Sequence, residues 1–152
     1  MFRFFSSTRA GVFEERRKKQ EVWRSLRRII DRHSAKEMVV SEDNRKEPRH
    51  AISIPVLVHG YGSHCECTPE FAVSKNISEE GMALLCPIEI VDHQVFCSVW
   101  EDHPVCFLGI VRQSHYVGGG YWEVGIEFQE MTTMHDWEPL RSMAQNLNPH
   151  SR

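Results

Sequence analysis

The sequence predicts a mainly β protein, an antiparallel sandwich or barrel that has one helix before it in the chain and one after it. Three observations support this prediction. Short apolar runs follow one another from residue 50 to residue 130 at intervals of about ten residues, with turn-forming residues between them. Residues 13–37 contain neither glycine nor proline and place apolar residues at three- and four-residue steps. Residues 131–147 return to that helical spacing.

The first helix is expected over residues 13–37, after a flexible arm at 1–12. Its apolar stripe is Phe13, Val22, Trp23, Leu26, Ile29, Ile30 and His33. Its other faces carry arginine and lysine. Glu14 and Glu15 are placed in the first turn, where they complement the helix dipole. A polar linker follows, and Pro48 prevents the helix from continuing through it.

Six apolar runs after the linker are predicted as strands. They read AISIPVLVHG, FAVSKNIS, GMALLCPIEI, QVFCSVW, PVCFLGIVRQSHYV and YWEVGIEFQE. Three consecutive glycines at 118–120 separate the last two runs and predict a hairpin connection. A short C-terminal helix then closes the chain. Its predicted stripe is Met134, Trp137, Leu140, Met143 and Leu147.

Charge is divided unevenly along the chain. Residues 1–49 hold 14 Lys and Arg against 8 Asp and Glu, a net charge of +6, whereas residues 50–152 hold 4 against 13, a net charge of −9. This asymmetry indicates a basic segment attached to an acidic body. The basic segment has four candidate anionic partners, which are a nucleotide, a nucleic acid, a membrane surface and the acidic body of the same chain.

The composition also bears on cellular location. No window reaches eighteen uncharged apolar residues, so we expect no membrane span. Arg3 and Arg9 interrupt the apolar start, so we expect no secretion signal and place the protein in the cytoplasm. The five cysteines are odd in number, include no C-x-x-C pair and lie mostly in apolar runs. We therefore expect buried, reduced thiols.

The sequence gives little indication of metal or catalytic chemistry. His64, Cys65 and Cys67 lie close together, but C-x-C is not a zinc-finger spacing and no second ligand pair follows at a suitable distance. No nucleophile elbow or metal-binding helix motif occurs. Glu79 and Glu80 are adjacent, and adjacent turn residues seldom converge on one substrate atom. We therefore expect no catalytic residues, no bound metal and no cofactor.

Two short motifs carry the functional hypothesis. Arg45 and Arg49 lie four positions apart in the linker before the first strand. A guanidinium is planar and always charged, so it pairs with phosphate and stacks on flat π-systems. The second motif is Asn76-Ile-Ser78-Glu-Glu-Gly81, whose short polar side chains can donate to a base edge or a phosphate. Gly81 is expected to supply a backbone angle that other residues resist. Together the motifs suit an anionic, aromatic ligand such as a nucleotide.

In their order and spacing, the two motifs resemble the signature of PilZ domains, R-x-x-x-R followed by [D/N]-x-S-x-x-G. The resemblance covers roughly residues 42–131 and includes the late strand Val124–Phe128. It implies a six-stranded antiparallel β-barrel that binds the bacterial second messenger cyclic di-GMP, preceded by residues 1–41 and followed by 132–152. It also implies that the ligand is contacted by Arg45, Arg49, Asn76, Ser78 and Gly81.

The resemblance further implies a receptor that is not an enzyme. Ligand binding would draw the arginine-bearing linker onto the barrel and reorient the basic helix, so that a protein partner senses occupancy. Two alternatives remain open, a PilZ-like interaction module that binds no ligand and a nucleic-acid binder that acts through the helix. The helix itself is expected to pack on the barrel, to pair with a second copy of the chain as a homodimer, or to lie on an anionic membrane.

Overall fold

The computed structural model describes residues 9–33, 48–60, 69–101 and 103–133. The elements are α1 (Arg9–His33), β1 (Pro55–Gly60), β2 (Glu70–Ile77), β3 (Gly81–Cys86), β4 (Gln94–Val99), β5 (Val105–Gly118) and β6 (Tyr121–Thr132). Arg45, the cysteines at 65 and 67, and the predicted C-terminal helix lie outside the described residues.

The six strands form a closed barrel in the order β1-β2-β3-β6-β5-β4. Every neighbouring pair is antiparallel, and β1 closes the barrel by pairing with β4. The interior is filled by apolar side chains from all six strands, including the fully buried and stacked rings of Phe107 and Phe128. The prediction of a six-stranded antiparallel barrel is therefore confirmed.

Strands β5 and β6 form the longest hairpin of the barrel. They are joined by Gly118, Gly119 and Gly120, whose φ angles are 94°, 65° and 85°. These angles lie in the left-handed region, which glycine enters readily because it has no Cβ. The predicted hairpin at the three glycines is thus confirmed, and its chemistry explains why three glycines occur together.

The first and third predicted strands are shorter in the structure by four residues each. The first begins at Pro55. Residues 51–54 precede the strand without belonging to it, and their Ile52 and Ile54 side chains are buried. The third ends at Cys86, one residue before Pro87. Proline has no N–H to donate to a neighbouring strand, so the ladder stops there.

Helix α1 packs its apolar stripe on the barrel. Val22, Leu26, Ile29 and Ile30 are all buried in one cluster with the barrel interior. Of the arrangements considered for the helix, packing on the barrel is therefore the one observed. Phe13 and Trp23 were assigned to the same stripe, but they are 65% and 45% exposed. Trp23 lies at the edge of the buried face, whereas Phe13 lies about half a turn around the helix from Val22, so the stripe is narrower than predicted.

The start of α1 also differs from the prediction. The helix begins at Arg9, so residues 9–12 are helical and do not belong to a flexible arm. Glu14 and Glu15 consequently lie beyond the first turn, which contains no acidic residue. Within the described residues, no helix combines the length and the apolar character required to cross a membrane.

The described cysteines are buried thiols. Cys86, Cys97 and Cys106 are free and lie in the barrel wall. Burial raises the pKa of Cys86 to about 12 and raises the pKa of Cys97 well above its ordinary value. Because the neutral thiol is the form that burial favours, these three cysteines behave as small apolar residues, as predicted.

The substitution Leu26→Ala tests the packing of α1 on the barrel. Leu26 is fully buried, so its truncation removes apolar contacts and leaves a cavity. We expect the free energy of unfolding to fall by about 2–5 kcal/mol, measured by urea denaturation. Phe13→Ala is the control, because Phe13 is exposed on the same helix and should cost less than about 0.5 kcal/mol. Equal losses in the two variants would contradict the packing.

Candidate functional site

A pair of backbone hydrogen bonds brings the two sequence motifs together. His50 N donates to the carbonyl oxygen of Ile77 at 2.8 Å, and Ile77 N donates to the carbonyl oxygen of His50 at 2.9 Å. This isolated antiparallel bridge links the residue after Arg49 to the residue between Asn76 and Ser78. Arg49 is therefore held beside the polar turn, although the two motifs are far apart in the sequence.

The polar turn is closed by its own backbone. Ser78 N donates to the carbonyl oxygen of Gly81 at 2.9 Å, and the hydroxyl of Ser78 accepts from Glu80 N at 3.3 Å. The turn connects β2 to β3, which are neighbours in the barrel. Short polar side chains suit this geometry because they can bond to the turn backbone and still face outward.

Gly81 is required for a reason other than the one predicted. Its φ angle is not positive, since the positive values among the described residues belong to the three hairpin glycines. A Cβ placed on Gly81 would instead lie 1.9 Å from the carbonyl oxygen of Ile126. The expectation of a special backbone angle at Gly81 is therefore wrong, and close approach of β3 to β6 is the constraint that glycine satisfies.

An open pocket of about 200 Å³ lies beside the turn and extends across β3, β6 and β5. Four of the five predicted ligand residues line it, and the fifth, Arg45, lies outside the described residues. The four are Arg49, Asn76, Ser78 and Gly81. The remaining lining residues are Glu80, Met82, Ala83, Arg112, Gln113, Gly125, Ile126 and Glu127.

Irregularities in two strands lie at this pocket. The β2–β3 register shifts between Ser74 and Asn76, and the β5–β6 register shifts between Val111 and Gln113. The second shift leaves Arg112 as the extra residue of a β-bulge. Bulges change the direction in which side chains point, and here they occur where Asn76 and Arg112 line the pocket.

Arg112 is a pocket residue that the sequence reasoning missed. It stands in β5, outside both motifs, and its guanidinium lines the same pocket as Arg49. The available signal was its rarity, because it is one of only four Lys and Arg residues after position 49. A cation in the acidic part of the sequence is expected to have an anionic partner. In this structure that partner is Glu127, whose Oε2 accepts from Arg112 Nε at 2.8 Å.

Glu127 connects the pocket to helix α1. Its Oε1 accepts from Lys19 Nζ at 3.0 Å, while its Oε2 is held by Arg112. The bond from Arg112, followed by the bond from Lys19, lowers the pKa of the Glu127 carboxyl, although partial burial opposes that shift. Glu127 is therefore ionised at neutral pH, and it was also missed from the sequence.

A comparison with protein families assigns the chain. The PilZ domain matches residues 43–144, which is more than half of the sequence. The chain belongs to the PilZ domain family. The PilZ match includes every strand of the barrel and both motifs.

Comparisons with individual proteins are less informative. Among solved structures, the chain is similar to the Bacillus subtilis inhibitor of motility MotI/DgrA, with 16% sequence identity and a TM-score of 0.45. The similarity covers 72% of this chain and 54% of that protein. No curated protein sequence matches the chain.

His64, Cys65 and Cys67, which were considered and rejected as a zinc site, lie outside the described residues. In the ranges that the structure describes, no three His, Cys, Asp or Glu side chains are grouped so as to hold a metal ion.

The ionisation of Glu127 provides a test of the site's electrostatics. We expect its carboxyl to titrate below the ordinary value of 4.5, and Arg112→Ala to raise that pKa by removing the leading hydrogen bond. Because the pKa is lower in the folded state, the stabilisation is present above the unfolded-state pKa and is lost as pH falls through the folded-state pKa. Carbon-13 NMR of the side-chain carboxyl measures the titration.

The matched control for this titration is Lys75→Ala, which removes a cation paired with Glu123 and not with Glu127. The Glu127 pKa should stay unchanged in that variant. A Glu127 pKa that responds equally to Lys75→Ala and Arg112→Ala would contradict the pairing described here.

Proposed function

We propose that this PilZ domain protein is a receptor for cyclic di-GMP that passes ligand occupancy to a protein partner. The observation that carries the proposal is the convergence of Arg49, Asn76, Ser78 and Gly81 on one pocket. Three of them belong to the motif that resembles the signature of PilZ domains, and the chain belongs to that family. The backbone bridge between His50 and Ile77 supports it, because it holds the arginine and the turn together.

The pocket suits the chemistry of this ligand. Cyclic di-GMP has two phosphates and two guanine bases, and guanidinium groups both pair with phosphate and stack on flat rings. Arg49 and Arg112 approach the pocket from different chain segments. Arg45 lies four residues before Arg49, so an extended linker carries it at most about 14 Å away. In this proposal, Arg45 closes over the ligand from the linker side.

The signal is transmitted by a shift between two arrangements of the linker. Ligand that binds Arg45 and Arg49 favours the arrangement in which the linker lies on the barrel. The linker joins α1 to the barrel in the sequence, so a change in the conformation of the linker changes how firmly the position of α1 is held. A partner that contacts α1 then senses the occupied state, and no chemical reaction is required.

The nucleic-acid alternative is weakened by the ion pairs of α1. Four basic residues of the helix pair with acidic residues of the barrel region. The pairs are Lys18–Glu130, Lys19–Glu127, Arg27–Glu79 and Arg32–Glu101. Basic residues of α1 thus contact the acidic body of the same chain, which is one of the anionic partners considered for the basic segment. Cations engaged in this way are less available to a phosphate backbone.

Calorimetric titration with cyclic di-GMP tests the proposed function. Each charge-assisted hydrogen bond contributes about 1.5–3 kcal/mol, so Arg45→Ala and Arg49→Ala should each weaken binding by about ten- to a hundredfold. Arg24→Ala is the control, because Arg24 is exposed on α1 and lies outside the pocket.

Affinity equal to wild type in both linker variants would refute the assigned site. A titration with random duplex DNA separates the nucleic-acid alternative from the proposal. Binding to DNA that falls steeply with salt and persists in Arg49→Ala would favour a nucleic-acid binder.

A further inference from the structure

The charge of the pocket presents a difficulty for an anionic ligand. Two arginines line it, Arg49 and Arg112, but so do two glutamates, Glu80 and Glu127. The formal charge of these four described side chains is therefore zero. Arg112 is already paired with Glu127, so a phosphate that enters has to compete with a carboxylate for the same guanidinium. An additional source of positive charge near Glu127 would favour ligand binding.

Helix α1 supplies that positive charge through Lys19. Lys19 Nζ donates to Glu127 Oε1 at 3.0 Å and to the carbonyl oxygen of Phe128 at 3.1 Å. Lys19 does not line the pocket itself, so it acts on the ligand through Glu127. Because each oxygen of Glu127 holds a different cation, Lys19 can keep the carboxylate neutralised when Arg112 turns to a phosphate.

Helix α1 also contacts the polar turn between β2 and β3 directly. Glu79 follows Ser78 in the polar turn, and its two oxygens both accept bonds from α1. Trp23 Nε1 donates to Glu79 Oε2 at 2.6 Å, and an Arg27 Nη atom donates to Glu79 Oε1 at 3.2 Å. The helix therefore neutralises two carboxylates, Glu79 in the polar turn and Glu127 in β6.

We propose that docked α1 is an electrostatic part of the ligand site, in which Lys19 and Arg27 neutralise Glu127 and Glu79 and thereby raise the affinity for the anionic ligand. The inference rests on the proposed function and extends it from the pocket to the helix. By linkage, ligand must then strengthen the docking of α1 by the same factor by which docking strengthens ligand binding. Lys19 and Arg27 act only through the glutamates that they neutralise, and they make no contact with the ligand.

The test measures cyclic di-GMP affinity of the full chain in variants of Lys19. An exposed or partly exposed ion pair has a modest effect, so Lys19→Gln should weaken binding by about two- to fivefold. Lys19→Arg keeps the charge and should bind as wild type does. Arg24→Gln makes the same change in net charge on the same helix, away from both carboxylates, and should also bind as wild type does.

A double-mutant cycle shows whether Lys19 acts through Glu127. In the Glu127→Gln background, Lys19→Gln should have no further effect on affinity, because the carboxylate that it neutralises is absent. An undiminished effect of Lys19→Gln in that background would overturn the proposed route, as would equal affinities of Lys19→Gln and Arg24→Gln.

Hydrogen exchange of the wild-type chain gives a second readout that needs no variant. Saturating cyclic di-GMP should slow amide exchange in α1, because ligand and docked helix stabilise one another. Unchanged exchange in α1 at saturation overturns the inference. Absence of calorimetric binding to wild type overturns the proposed function itself, whereas normal binding with no dependence on Lys19 overturns only the role of the helix.

Discussion

The close approach of β3 to β6 is the constraint on which the site depends. Gly81 lies so near the carbonyl oxygen of Ile126 that no other residue fits without backbone movement. This contact fixes the register in which Gly81 lies opposite Glu127, so the polar turn and the charged strand form one wall. The position of Glu127 beside the polar turn follows from that register, while the Arg112–Glu127 pair also depends on the register between β5 and β6. A shift of one residue would turn Glu127 toward the other face of the sheet.

Part of the uneven charge of the sequence is balanced within the molecule by ion pairs between α1 and the barrel region. The basic helix rests on the acidic body through its buried apolar stripe, and its cations reach carboxylates at the rim of that contact. Two of those carboxylates, Glu79 and Glu127, also belong to the polar turn and the pocket lining, respectively. The apolar contact holds the helix on the barrel, while the ion pairs connect the helix to the pocket lining and the polar turn. This arrangement connects the helix physically to the residues that line the pocket.

Local patterns predicted the fold well, because strands and turns leave periodic signals. The alternating runs gave all six strands, and Gly118–Gly120 gave the hairpin. The sequence could not reveal Arg112 and Glu127 as partners, because their contact depends on a bulge that shifts the β5–β6 register. The role of Gly81 was hidden for a similar reason, since its constraint comes from β6, which is distant in sequence. Trp23 was assigned to the core by its spacing, whereas its indole N–H bonds Glu79 at the surface.

The central claim is that cyclic di-GMP occupies the pocket between the polar turn and β6. Two-dimensional amide NMR during titration with cyclic di-GMP tests it most directly. The account predicts that the largest shift changes fall on residues 76–83, 112–113 and 125–127, which line the pocket or adjoin its lining residues. Shift changes of equal size confined to the opposite side of the barrel, on β4 and the start of β5, would contradict it.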